Sequence, residues 1–499
     1  VADLPPRRRG PLLYQLNTRI LLQERARALG REATLDDVPD ALLDDIAARG
    51  FDWVWLLGVW TIGPAARAVS RSRRDWREAF ARALPDLRDD DVTGSPFAIQ
   101  AYDVAPELGA DAALARVRER LARRGLRLLL DFVPNHVSPD HPWVRARPHW
   151  LIEGTEEDLA REPQNWVRLG GRVLAHGRDP YFPGWPDTLQ LNYLHPGLRE
   201  AMRGELARVA ARCDGVRCDM AMLVLPDVFR RTWGDRAVPR DGSAAADQPF
   251  WPEAIARVKA RSPDFLFMAE VYWDLEWTLQ QQGFDFTYDK RLYDRLHAGD
   301  ARAVREHLWA APDFQERSAR FLENHDEPRA AAVFGPEQAR AAAVIAFLVP
   351  GLRFFHEGQL EGRKVHVSMH LGRRPDEAPD RELQAFYARL LRVLARAEVH
   401  EGAWRLAECR AAWPGNATWD RFVVMAWEGA GGRRLLAAVN YGPTQAQCWA
   451  QVPFAGLRGR VTLEDLLGDA RYERDGAELG SKGLYLDLPP WGQHAFAVV

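Results

Sequence analysis

Residues 126–136 read LRLLLDFVPNH. Leu126–Val133 is a short apolar run that carries one acid, Asp131, near its end. The stretch before it, Ala112–Arg124, sets apolar residues and arginines at helical spacing. An apolar run without alternation, next to an amphipathic helix, marks a parallel strand covered on both faces. The same unit repeats outward in both directions. Strands are expected at Leu12–Leu16 and Trp53–Trp60 before it, and at Gly215–Met220, Phe265–Val271, Phe284–Tyr288, Ser318–Leu322 and Leu352–Phe355 after it. Helices such as Asp40–Arg49 and Pro196–Arg212 fit between them. Eight strands alternating with helices predict an α/β fold, a (β/α)8 TIM barrel.

Two regions break the alternation. Residues 134–192 are rich in Pro, Gly, Trp and charge and have little periodicity, which predicts an inserted subdomain after the third strand. After Val399 the chain turns to short runs joined by Gly and Pro: Arg421–Trp427, Arg434–Val439, Gln447–Val452 and Tyr485–Leu488. These predict a C-terminal all-β domain, sandwich-like. The expected layout is a barrel from 1–133 and 193–398, the insertion at 134–192, and the β-domain at 399–499. A barrel of about 400 residues with its insertion, plus a β-domain of about 100, accounts for the 499 residues.

Composition narrows the function. Hydrophobic residues make up 47% and charged residues 27%, a globular balance and not a disordered one. The net charge of −3 supplies no field that would gather nucleic acid or an anionic membrane. No apolar run is long enough to cross a bilayer, and residues 1–17 hold no apolar leader segment. The cysteines Cys213, Cys218, Cys409 and Cys448 form no C-x-x-C pair, which argues against zinc and predicts free thiols in the reducing cytoplasm. No signal sets the oligomeric state. The 19 tryptophans call for a large core, a binding surface, or both.

Barrel chemistry gathers at the C-terminal ends of the strands. The third strand ends LLLDFVPNHVS, with Asp131, Asn135 and His136. The fourth ends GVRCDMA, where Arg217 and Asp219, two apart, share one face and Cys218 points the other way. The arginine favours an ionised aspartate. The fifth ends FLFMAEV, presenting Glu270, and the seventh ends FLENHDEP, presenting His325 and Asp326. Three carboxylates at one mouth suit glycoside chemistry, which needs a nucleophile, an acid and a stabiliser of an oxocarbenium-like state. They also suit a divalent cation. Arg217 and the two histidines tilt the choice towards sugar, because cations do not belong in a metal cage.

These four clusters, in this order, resemble the signature regions of the α-amylase family, glycoside hydrolase family thirteen. The barrel opening YQLNTRI, the insertion, the eighth-strand FFHEGQLEG and the β-rich tail extend the resemblance along nearly the whole chain. It implies that Asp219 is the nucleophile, Glu270 the general acid and then base, and Asp326 the residue that holds sugar hydroxyls in the transition state. Arg217 would fix Asp219. His136 and His325 would bond the sugar at the cleaved subsite. Asp131 would support that subsite from within the mouth, and Phe97, in SPFAIQAY, would stack on it. Trp273 is a further stacking candidate. The implied reaction is retaining hydrolysis of α-glucosidic bonds in malto-oligosaccharides or related glucans. The alternative is glycosyl transfer to a sugar or other acceptor on the same scaffold. No cofactor is required by that chemistry; Asn135 reads either as a calcium ligand, as in many relatives, or as a loop cap.

The sequence departs from the family at several points. Met222 and Leu223 stand where many amylases have Lys-His, which predicts a more apolar acceptor side. Ala98 stands where related enzymes carry an aspartate, and Gln190, in LQLN, replaces the aspartate of a P-D-L-N motif. Of the tryptophans, Trp143, Trp150, Trp166, Trp185 and Trp277 read as insertion core or sugar platforms. Trp404, Trp413, Trp419, Trp427, Trp449 and Trp491 read as C-terminal core.

Overall fold

The computed structural model describes residues 7–499, so the first six residues of the expected barrel and of the stretch 1–17 lie outside it. Eight parallel strands close into a barrel: β1 (Leu12–Asn17), β2 (Trp53–Leu57), β3 (Arg127–Phe132), β4 (Gly215–Cys218), β5 (Leu266–Ala269), β6 (Phe286–Tyr288), β7 (Ser318–Arg320) and β8 (Leu352–His356). Closure comes from β1, which pairs with β2 through Leu13↔Trp53 and with β8 through Leu12↔Arg353. Every residue of the eight strands is buried, which is why they read as unbroken apolar runs.

Several strands end earlier than their apolar runs suggest. The Trp53–Trp60 run breaks at Gly58, whose φ of 81° lets the backbone turn; a Cβ there would meet Pro96 Cβ at 2.8 Å. Trp60–Ile62 then pairs with Ile99–Val104 instead of extending the barrel. After Cys218 the chain leaves β4, and Met220 takes a φ of 40°. These early exits put Asp219 and Glu270 on the loops at the mouth.

The insertion has more regular structure than its composition suggests. It holds helices at Pro142–Ala146 and Glu156–Arg161 and a hairpin of Trp166–Leu169 with Arg172–Ala175. Gly170 and Gly171 form the two-residue loop with positive φ that such a tight hairpin requires. A ladder of His136 with Gln190 and Val137 with Leu189 ties the insertion to the end of β3.

The C-terminal region is a sandwich. Six strands, in the order Ala403–Ala407, Phe422–Glu428, Arg434–Asn440, Gln493–Val498, Arg460–Asp465 and Arg471–Asp475, face three, Cys409–Ala411, Ala446–Ala450 and Leu484–Leu488. Phe422, Val424 and Ala426 point into the sandwich core, while Val423, Met425 and Trp427 alternate towards the barrel. The Trp427 indole N–H donates to Leu348 O (2.7 Å) and Tyr441 OH to Leu296 O (2.5 Å), docking the two cores. The expectation of six core tryptophans here is corrected only in part, because Trp404 and Trp491 pack against the barrel core and Trp419 against the sandwich core. Only Trp427 is buried; Trp413 is 51% exposed on a Pro-Gly turn, and Trp404, Trp419, Trp449 and Trp491 are half-buried. Trp449 alternates with buried Cys448 and Ala450, so its ring takes the outer face. Cys213, Cys218 and Cys448 are buried, and all four cysteines are free thiols.

Candidate active site

One buried guanidinium organises the mouth. Arg217 Nη1 lies 2.5 Å from Asp219 Oδ1, and Nη2 lies 2.8 Å from Glu270 Oε2. The planar fork therefore holds the two carboxylates side by side. Its centre sits 5.0 Å from the Phe97 ring, 5.5 Å from Trp55 and 5.8 Å from Tyr288. The rings stabilise the cation and exclude water from it.

A single arginine cannot neutralise three acids. Burial pushes the Glu270 carboxyl up to about 7, with Arg217 opposing and Asp219 and Asp326 adding to the rise. The Met220 N–H donates to Glu270 Oε2 (2.7 Å) and Tyr272 OH to Oε1 (2.9 Å). A carboxyl that titrates near neutrality is suited to give and take a proton. Asp326 stands at the rim. Enclosure raises its pKa, but His325 and Arg217 outweigh that and hold it below the usual range. Its Oδ2 is 3.0 Å from His325 Nε2.

Sequence reasoning missed the groups that aim these side chains. Gln15, a polar residue inside the buried strand β1, contacts His325 Nδ1 through Nε2 (2.9 Å) and His356 Nδ1 through Oε1 (2.7 Å). An amide N–H donating to Nδ1 leaves the His325 proton on Nε2, facing Asp326. The signal was present: YQLN places an uncharged amide where β1 should be apolar. Tyr272 follows Glu270 by two residues, the spacing that had linked Arg217 with Asp219. The backbone is also strained here. Met220, Trp273 and Asp274 hold positive φ (40°, 64° and 63°), three of the five non-glycine residues that do so among those described.

The remaining candidates divide. His136 and Phe97 line the mouth: burial lowers the His136 pKa and keeps the ring neutral, and Asp219 lies close enough to oppose that shift. Trp273 reaches the rim, where its ring meets exposed Tyr181 of the insertion edge-on at 4.9 Å. Asp131 does not face the opening, which corrects its place among the sugar-binding residues. It is fully buried, and its oxygens accept from Trp55 Nε1 (3.1 Å) and the Gly58 N–H (3.0 Å). Burial pushes it up to about 6, against Arg217. Met222 and Leu223 are buried as well, in a turn at 221–224, so they do not form an apolar acceptor wall.

A cavity of about 780 Å³ lies at the opposite end of the barrel, between Arg9, Lys259, Arg317, Arg353 and Trp404, away from every carboxylate of the mouth. His149, His195 and Asp241 bring ligand-type atoms within 4.8 Å of one another. His195 Nδ1 accepts the N–H groups of Gly197 and Leu198 at the start of helix Pro196–Ala210. Its proton is then on Nε2, 2.9 Å from Asp241 Oδ2, and no lone pair is left for a metal. His195 is a helix cap, oriented by Asp241.

A family model for the alpha amylase catalytic domain matches residues 96–385. The chain belongs to the alpha-amylase family. The matched span covers β3 to β8, the insertion and all three carboxylates. The alpha-amylase MalA of Haloarcula japonica is 27% identical over 401 residues, 78% of this chain and 49% of that protein. An alpha-1,4-glucan:maltose-1-phosphate maltosyltransferase of Rhodospirillum rubrum is 27% identical over 279 residues, 54% of this chain and 32% of that one. The chain thus spans about half or less of the length of these curated relatives. Among solved alpha-amylase folds, the noncanonic maltogenic alpha-amylase AmyB of Thermotoga neapolitana superposes with a TM-score of 0.69 at 17% identity, over 98% of this chain and 99% of that one. An alpha-amylase of Lactobacillus plantarum gives 0.66 at 21% identity, over 98% and 99%.

Proposed function

We propose that the protein cleaves α-glucosidic bonds of malto-oligosaccharides or related glucans with retention of configuration. The observation that carries this reading is the Arg217 fork, which holds Asp219 and Glu270 side by side while burial keeps Glu270 partly protonated near neutral pH. In the first step Asp219 attacks the anomeric carbon, and Glu270 gives its proton to the departing glycosidic oxygen. Asp326 and the His325 Nε2–H bond hydroxyls of the distorted sugar. In the second step Glu270 takes a proton from water, whose oxygen displaces Asp219 from the anomeric carbon.

Transfer is the second reading, in which a sugar hydroxyl replaces that water. The maltosyltransferase among the relatives supports it, and the burial of Met222 and Leu223 removes the argument from a dry acceptor wall. Product profiling on maltose-series substrates, with and without an added sugar acceptor, tests both. Hydrolysis predicts only shorter free sugars with retained anomeric configuration at first release. Longer or acceptor-linked products would establish transfer. Inverted product would overturn both.

A further inference from the structure

The calcium reading of Asn135 can be tested against its surroundings. Asn135 O, Asn135 Oδ1 and Leu191 O converge on one point, as the oxygens of a hard-cation site do. That point is occupied by the side-chain nitrogen of Gln190, at 3.0, 2.9 and 3.0 Å from them in that order. The amide cannot be turned round. Its oxygen accepts from Asn135 Nδ2 (3.1 Å) and from the Arg178 N–H (3.4 Å), so a flip would set oxygen against three oxygens and nitrogen against two donors. Both residues are buried, Gln190 fully. A calcium ion asks for six to eight oxygens, usually with carboxylates among them. Here the three are neutral, and an N–H donor stands where the ion would sit. The residues do not fit calcium.

We propose that the Gln190 amide takes the place of a structural cation between the end of β3 and the insertion, and so positions His136 without calcium. Gln190 pairs with His136 in the two-residue ladder, and the Asn135 amide nitrogen also touches His136 Nδ1 (3.4 Å). Gln190 is thus a positioning residue. Where the P-D-L-N pattern has an aspartate, Gln190 thus supplies an N–H donor in place of a carboxylate oxygen. This holds whichever bond the enzyme cleaves, because it concerns the junction and not the reaction.

The test uses calcium chloride and EDTA on the full chain. Apparent Tm, kcat and KM are measured for wild type, Gln190→Asp and Gln190→Glu, purified with calcium, dialysed against EDTA, then returned to millimolar calcium. Wild type should shift by less than about 1 °C between the two states. In the variants a carboxylate faces three oxygens, so EDTA should lower Tm by several degrees and kcat by about tenfold, with KM changing less, and calcium should restore both. Gln190→Glu keeps the side-chain length and serves if Gln190→Asp does not fold. A wild-type Tm that falls with EDTA and recovers with calcium would overturn the proposal. So would carboxylate variants indifferent to calcium. The Tm readout involves no substrate, so failure here is distinct from failure of the glycosidase reading.

Discussion

The mouth and the Asn135–Gln190 junction adjoin at His136, yet they treat polar groups in opposite ways. In the mouth, three carboxylates share one buried arginine, and Glu270 is left with a pKa near 7. In the junction, both ends of the Gln190 amide find partners and no formal charge takes part. The difference separates work from support. A perturbed carboxyl costs folding free energy and is retained for chemistry, whereas a satisfied amide network fixes geometry. Mutations of the reacting carboxylates should therefore remove activity with little loss of stability, and mutations in the junction should lower stability and, through His136, reduce activity far less.

The largest break is Asp219→Asn. It should lower kcat/KM by about 10⁴-fold or more while leaving Tm almost unchanged, since a nucleophile acts through one covalent step. Kinetics and thermal melting on the same preparation check this, and an active Asp219→Asn enzyme would dissolve the assignment. Arg217→Ala should be costly on both counts. It leaves two buried carboxylates unpaired, a loss of about 3–5 kcal/mol in stability, with activity falling alongside; denaturant titration reads the first. The alkaline limb of the kcat/KM profile should lie near pH 7, where Glu270 loses the proton it must donate. Tyr272→Phe, which removes a donor to Glu270 Oε1, should move that limb to higher pH by less than one unit.

The smallest effect sharpens the comparison at its exception. Asp187, in the insertion, keeps Oδ2 without a partner, and burial pushes it up to about 7 from 3.8. Its folded pKa lies above the unfolded one, so there is almost no penalty at pH 4, a growing one as pH rises to about 7, and a constant one above that. Asp187→Asn should therefore add on the order of 1 to 3 kcal/mol at pH 8 and almost nothing at pH 4. Melting curves at the two pH values decide it.

The barrel was legible because both-face burial leaves unbroken apolar runs, and the acids stood out because they end such runs. Asp131 was misplaced for the same reason: an acid at a strand end reads alike whether it faces the opening or, as here, Trp55 and Gly58. Gln15 showed as a polar residue in β1, but its role depends on barrel closure, which brings its side chain between His356 of β8 and His325 of the β7 loop. Arg471–Asp475, with the sequence RYERD, has no apolar alternation at all; it is an exposed edge strand held by backbone pairing with Arg460–Asp465. The insertion hairpin was hidden in a polar stretch, although its Gly170–Gly171 turn was written in the sequence.

The central claim is that Asp219 bonds to sugar while Glu270 manages the proton. Glu270→Gln incubated with an α-glucosyl fluoride tests it most directly, because fluoride leaves without an acid and the variant lacks the base that releases the sugar. Peptide mass mapping of the quenched protein should find one glucosyl adduct, on the peptide that carries Asp219. An adduct on Asp326 or another acid, or wild-type turnover with no adduct, would contradict the account.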